Sequence, residues 1–487
     1  MGSDGAAALH ATPEEAVLAR WEKDLQTMRQ GISLMLANHL ADAEKVLDDA
    51  IAEVKERDID FDRGDHDLRG AFAFVSALMR LVNGLASLEN NQLETVLERV
   101  WEADEFLAQD HDWAGKTVLR GLCLVVAGLV QLIQGHVSKG IWHILRSWIY
   151  LRHLESEGLN YEGHERGCVR STALLALGVF NFFASLLPPT VMQTASWCTG
   201  FSGGREVALK QLTMCWEEGG IQAPFAGLAL IGIAVDVSNF LGELRLERET
   251  KHAQARCILD WAAEHYPNSF FFNGLEAAYF ASMRDLEAAV QAIAQVRLEV
   301  HNLPAFLFLT HVRTASLEAS RFRWSEAGDA FRAAFEVHRS VQRRALCPTL
   351  TMNAHLCYVA SGEASKASEM LSLCRSYSSE TKKWASVDKV ALQHAEMAER
   401  AAEAREAKPE NEDEEPEEAM SWHPLMILYL KICVIYRAVN FMTPEGAQTF
   451  IDLVRAETEA CGENIDYQCI GLFVQAEAMR QAERWPE

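Results

Sequence analysis

Apolar residues recur every three or four positions along almost the whole of this chain. No other feature constrains the fold as much, because that spacing lays an apolar stripe along a helix, whereas a half-buried strand needs strict alternation. The stretches Ala41–Val54, Leu93–Leu107, Ala253–Ala263 and Ala327–His338 all carry it, and alternating stretches are hard to find. Helix starts are written in too. Thr12-Pro13-Glu14-Glu15 puts a capping hydroxyl before Pro at the first helical position and Glu at the capping-box position, and Thr443-Pro444-Glu445 repeats that logic. The regions Ala223–Phe240 and Gly121–Ile133 are apolar nearly all round, so their helices must be covered on several sides.

A finer pattern recurs inside these helices. A small residue is followed four positions later by a large apolar one, and three after that by another small one. The triads are Ala43/Leu47/Ala50, Gly140/Ile144/Ser147, Ala255/Leu259/Ala262, Ala327/Phe331/Ala334 and Ala367/Leu371/Cys374, with Ala289/Ile293/Val296 a loose fit because Val stands at its last small position. Gly31 and Gly128 each stand twelve residues ahead of a triad, Pro267 follows one, and Tyr358 precedes another. From Ala255 to Ala367 the steps are 34, 38 and 40 residues. Small residues let two helix backbones approach closely, and the large residue fills the groove between them. This is the pattern of the tetratricopeptide repeat, two antiparallel helices in about 34 residues. The expected fold is therefore all-α, a tetratricopeptide-like α-α superhelix built as a solenoid of antiparallel helix pairs, with an irregular helical bundle as the alternative.

Composition narrows the function classes. The chain of 487 residues has 45 basic and 69 acidic side chains, a net charge of −24, which argues against nucleic acid as a partner. Its eleven cysteines are an odd number with no Cys-x-x-Cys, which suits reduced thiols in the cytosol better than a disulfide framework. The apolar runs 223–235 and 172–187 are 13 and 16 residues long, short of the roughly 18–20 that cross a bilayer, so no transmembrane segment is expected. Pro409–Ala419 carries seven acidic residues and two prolines, so it cannot bury apolar surface and reads as a disordered loop. The expected organisation is an N-terminal repeat block at 13–160, an apolar helix with a turn region at 161–220, tetratricopeptide-like repeats at 221–405, the acidic loop at 406–420, and helices of the same solenoid at 421–487.

One block has a more specific character. Asn181-Phe182-Phe183-Ala184-Ser185-Leu186-Leu187-Pro188-Pro189 is followed by Gly200-Phe201-Ser202-Gly203-Gly204-Arg205, then Ala208-Leu209 and Leu212. It resembles the signature of the tetratricopeptide repeat protein 39 family, which includes fungal inclusion-body clearance proteins. Phe270-Phe271-Phe272-Asn273-Gly274 ahead of Asp285-Leu286-Glu287-Ala288-Ala289, and Trp324-Ser325-Glu326-Ala327, fit the same layout, and the resemblance extends over roughly residues 20–480. It implies a non-enzymatic adaptor that binds protein partners, with links to lipid homeostasis and, in fungi, to lipid droplets and clearance of aggregates. Pro188, Pro189, Gly200, Phe201, Gly203 and Arg205 are the signature residues, structural in role and candidate partner contacts. The alternative is a peripheral protein of a lipid droplet or membrane surface that uses the apolar 172–187 segment. The expected location is the cytoplasm, with the nucleus or the lipid droplet as alternatives.

Chemistry is harder to find. Gly200-Phe201-Ser202-Gly203-Gly204 is literally Gly-x-Ser-x-Gly, but a nucleophile elbow needs a strand before it and a parallel sheet around it. The expected reading is a glycine-rich turn in which Gly allows positive φ and Ser202 caps the next helix. The sixteen His are dispersed, with His143 and His153, or His301 and His311, ten apart, and no zinc-type Cys/His motif occurs. The tryptophans, Trp142 and Trp148 among them, read as packing anchors. No catalytic residue, metal site or cofactor is expected.

Overall fold

The computed structural model describes residues 12–59, 61, 65–87, 90–111, 113–155, 158–186, 203–238, 245–378, 386–406, 422–462 and 464–482. Every regular element among them is helical and none is a strand. The chain divides into two compact units, Met1–Leu230 and Ile231–Glu487. Residues 407–420 of the acidic loop and the Leu187–Ser202 part of the signature block lie outside the described residues, while Glu406 ends a helix.

The first unit begins with α1 (Pro13–Leu36) and α2 (Leu40–Lys55). The capping box at Thr12 forms as the sequence dictates: its hydroxyl accepts from Glu15 N and the Glu15 carboxylate accepts from Thr12 N. Three pairs follow, α3 (Arg69–Ser87) with α4 (Asn90–Gln109), α5 (Ala114–Ile133) with α6 (Val137–Leu151), and α7 (Arg166–Ala184) with α8 (Arg205–Glu217). The small residues act at the crossings. A Cβ added at Gly31 would lie 2.9 Å from Leu47 Cδ2, and one at Gly128 would lie 2.8 Å from the carbonyl oxygen of Gly140. Ala43 and Leu47 are fully buried in the first pair. The core of this unit runs through Phe74 and Ala77 of α3, Val96 and Val100 of α4, Val126 and Val130 of α5, Trp148 of α6, and Leu177 and Phe180 of α7.

Two helices of this unit correct the expectation drawn from short apolar runs. Ala114–Ile133 and Arg166–Ala184 are each long and apolar enough to cross a membrane by length and composition. Uninterrupted runs understate such helices, because a helix tolerates Lys116, Arg120 and Arg170 near its ends. Most of the apolar windows, 61% and 67%, are buried inside the protein, as in core helices. Residues 172–184 of the segment proposed for lipid contact belong to α7. In that segment Leu174, Leu177, Phe180 and Phe182 are buried, which leaves Phe183 and Leu186 exposed.

A helix, α9 (Ala223–Gly232), runs into a π-helical turn at Ile233–Val237. The second unit then continues with α10 (Arg245–His265), α11 (Phe270–Ser282), α12 (Leu286–Glu299), α13 (Pro304–Ser320), α14 (Trp324–Ser340), α15 (Cys347–Ala360), α16 (Ala364–Arg375), α17 (Ser386–Glu406), α18 (Pro424–Leu430), α19 (Pro444–Ala460) and α20 (Ile465–Gln481). Successive helices pack from α11 to α16, α17 lies against α15 and α16, and α19 pairs with α20. The predicted triads are buried at 289/293/296 and 327/331/334, and in the last one Leu371 is half-buried. Gly328 is required by Tyr358: a Cβ there would meet the Tyr358 ring at 2.7 Å, and the ring is wholly buried with its hydroxyl donating to Asp329 Oδ1 at 2.7 Å.

Candidate functional site

The signature residues divide between described and undescribed parts. Pro188, Pro189, Gly200, Phe201 and Ser202 lie outside the described residues. Gly203 and Arg205 are half-buried at the entry to α8, whose N-cap position falls on Gly204 rather than on a serine. Gly204 has φ −164°, extended backbone that any residue adopts, and a Cβ there would meet open space. The expected left-handed turn is therefore not found at Gly204; positive-φ glycines among the described residues are Gly135, Gly219, Gly362 and Gly462. With no strand among the described residues, the sheet that a nucleophile elbow needs is missing there.

The structure instead assembles a polar and aromatic cluster that no local motif announces. It sits in the first unit, where the segment ahead of α3, the α4–α5 connection and the start of α7 meet α1. Asp110 directly follows α4 and its carboxylate organises the connection. Oδ2 accepts from Trp113 Nε1 at 2.7 Å, and Oδ1 accepts from the backbone N–H of His111 at 2.9 Å. The His111 ring nitrogen Nδ1 lies 3.0 Å from the same Oδ1. His66 stacks on Trp113 with ring centroids 4.1 Å apart and on His111 at 4.9 Å. Trp21 of α1 meets the rings of His66 and His164 edge-on, each at 5.6 Å.

Glu165 is the hub on the other side. It is the N-cap residue of α7, although its side chain makes no cap hydrogen bond. Its Oε1 contacts His66 Nε2 and lies 3.0 Å from His164 Nε2, and its Oε2 accepts from the Tyr161 hydroxyl at 3.1 Å. Burial raises the carboxyl pKa, but the His66 hydrogen bond, the backbone at the helix start and the two histidine charges outweigh burial and hold it below the usual range. Tyr161 is pushed up to about 12 by burial first and then by the Glu165 charge. His66 and Glu165 are buried, and the His164 side chain is 30% exposed. Next to the cluster a cleft of about 220 Å³ is lined by Trp21, Leu25, His164, Cys168, Arg170 and Glu218.

The only sequence signal of this cluster is adjacency. Asp110-His111 and His164-Glu165 each pair a histidine with a carboxylate at a break between helices, yet His66 and Glu165 stand 99 residues apart, beyond any local motif. The histidines noted for their spacing do something else: His143 Nδ1 bonds Gln131 Oε1 at 2.7 Å and His301 Nδ1 bonds the Leu298 carbonyl at 2.8 Å. Of the tryptophans, Trp148 anchors packing against Phe180, but Trp142 is 62% exposed rather than packed in the core. Trp142 and Ile149 are seven residues apart on α6, and Ile465 with Leu472 and Phe473 repeat that spacing on α20, so each set makes an exposed apolar face.

The family model described as Iml2/Tetratricopeptide repeat protein 39 matches residues 38–342. That span is shorter than the residues 20–480 over which the signature resemblance extends. No curated protein matches the chain. Among solved structures, a Rap protein complexed with Competence and Sporulation Factor is 10% identical, covers 85% of this chain and 98% of its own, with a TM-score of 0.42. The human IFIT1 dimer with PPP-AAAA is 14% identical over 98% of this chain and 95% of its own, TM-score 0.34. The APC/C hetero-tetramer Cut9-Hcn1 is 13% identical over 97% and 96%, TM-score 0.25. Likenesses this distant carry nothing about function.

Proposed function

The chain belongs to the Iml2/tetratricopeptide repeat protein 39 family, and from that premise we propose that it is an adaptor whose helix pairs hold a protein partner. Helical-repeat folds of this type are generally non-enzymatic scaffolds, because stacked helix pairs make extended surfaces rather than enclosed sites. The observation that carries the reading is the pair of exposed apolar faces on α6 and α20, each on a helix whose other side is packed. Large apolar side chains held out on a rigid helix are the usual anchors of protein interfaces. By family, the pathway we propose is lipid homeostasis or clearance of inclusion bodies, in the cytoplasm.

The test is proximity labelling with the full chain, comparing wild type with Trp142→Ser/Ile149→Ser and with Leu472→Ser/Phe473→Ser. The expected result is a reproducible set of protein neighbours, depleted by at least one double variant whose circular dichroism is unchanged. A wild-type chain that labels no protein above background, but floats with neutral liposomes, refutes the adaptor reading in favour of a lipid-surface role.

A further inference from the structure

The cluster around Glu165 has the donor set of a transition-metal site. We propose that it binds one Zn²⁺-class ion through His66 Nε2, His164 Nε2 and Glu165 Oε1. The donor atoms of these three residues all lie within 4.8 Å of one another, and both imidazole nitrogens converge on the same carboxylate oxygen. Two imidazoles and one carboxylate suit zinc and its neighbours, whereas calcium and magnesium prefer oxygen alone. Three protein ligands with one open position is a familiar zinc arrangement, and the partly exposed edge of His164 leaves room for water there.

The surroundings are built as an outer shell. Metal-bound carboxylates and imidazoles are normally held by further hydrogen bonds. Tyr161 donates to Glu165 Oε2, the oxygen that neither histidine faces, and so holds the carboxylate with Oε1 toward the two imidazoles. His66 Nδ1 is buried and has no hydrogen-bond partner among the described residues. Metal on Nε2 fixes the ring proton on Nδ1. His66 also belongs to a second trio with Asp110 and His111, whose donor atoms lie within 4.8 Å of one another. The ion would tie the segment ahead of α3 to the start of α7. This site is independent of the proposed partner surfaces on α6 and α20.

The experiment uses the full chain, stripped with a chelator and titrated with Zn²⁺ by calorimetry and with Co²⁺ by visible absorption. The expected result is one equivalent bound, a tetrahedral Co²⁺ spectrum without a thiolate charge-transfer band, and a higher melting temperature with metal. His164→Asn, at a partly exposed position, should weaken binding by about tenfold or more with circular dichroism unchanged, and the shape-conserving Glu165→Gln should do the same. Cys461→Ser should bind as wild type does. That control matters because His423, Glu457 and Cys461 form another trio of donors in the second unit. No stoichiometric uptake, uptake unaffected by both first-unit variants, or a thiolate band lost with Cys461→Ser would each overturn the assignment.

Discussion

Replacing Gly128 by alanine tests the close helix crossing that defines the repeat. The new methyl would stand 2.7 Å from Ile144 Cγ1, 2.8 Å from the Gly140 carbonyl oxygen and 3.2 Å from Ile144 N. Two of those three atoms are backbone and cannot rotate away, so α5 and α6 must separate. Overpacking of this kind costs about 1–3 kcal/mol, and the backbone contacts place this case in the upper half of that range. Alanine returns about 1 kcal/mol of helix propensity, leaving a net loss of about 1–2 kcal/mol. For a unit the size of Met1–Leu230 that lowers the melting temperature by about 2–8 °C. Gly274→Ala supplies the opposite sign. Gly274 lies inside α11 with open space where its Cβ would be, so the same substitution should stabilise by about 0.5–1 kcal/mol. Gly31→Ala should fall between them, since the three atoms nearest its Cβ all belong to the Leu47 side chain, which can shift more easily than backbone. Differential scanning calorimetry of the three variants reads all three signs. A Gly128→Ala protein as stable as wild type, alongside a stabilised Gly274→Ala, would show that α5 and α6 do not cross in backbone contact.

Four further outcomes are expected. Burial holds His311, His338 and His394 at about 4, so as pH falls from about 6.5 toward 4 the unfolded chain binds protons that the folded chain does not. Stability should therefore fall over that window by about 1.4 kcal/mol per pH unit per histidine, and a urea midpoint that stays level from pH 7 to pH 4.5 would contradict this. At the alkaline end burial raises Cys168, Cys215 and Cys374 to about 11 and Cys357 and Cys433 to about 12. The stability those thiols contribute is complete below their unfolded values of about 8.5 and is lost as pH rises above them, so the urea midpoint should drop between pH 8 and pH 10. Iodoacetamide at pH 8 should correspondingly modify Cys257 and Cys469 first among the described cysteines, being the two that are exposed, and equal labelling of Cys357 would refute the packing. Asp388→Ala should cost at least about 2 kcal/mol by thermal melting, because the Asp388 carboxylate accepts from Leu346 N, Thr349 N and Thr349 Oγ1 at 3.0, 3.2 and 2.6 Å.

Periodicity, caps and crossing residues are local properties, so the sequence by itself determines them. Thr12 and Thr443 cap the helices their neighbours start, and Gly31, Gly128 and Ala43 stand at crossings, because each depends on residues within one helix pair. What the sequence could not place depends on groups brought together from far along the chain. Asp388 serves the start of α15 from 42 residues away, although Leu346, at φ +65°, offers no side-chain cap of its own. Trp142 and Trp148 have the same local pattern, yet one is exposed and the other stacks on Phe180, since only the arrangement of neighbouring helices decides which face is covered. The apolar length of α5 and α7 fits a membrane span as well as a core helix, and it is their burial within the first unit that marks them as core. The same holds for His66, His164 and Glu165. Their chemistry is present in the sequence, but donor atoms make a site only at distances of a few ångströms, and only the packing of the helix connections sets those distances.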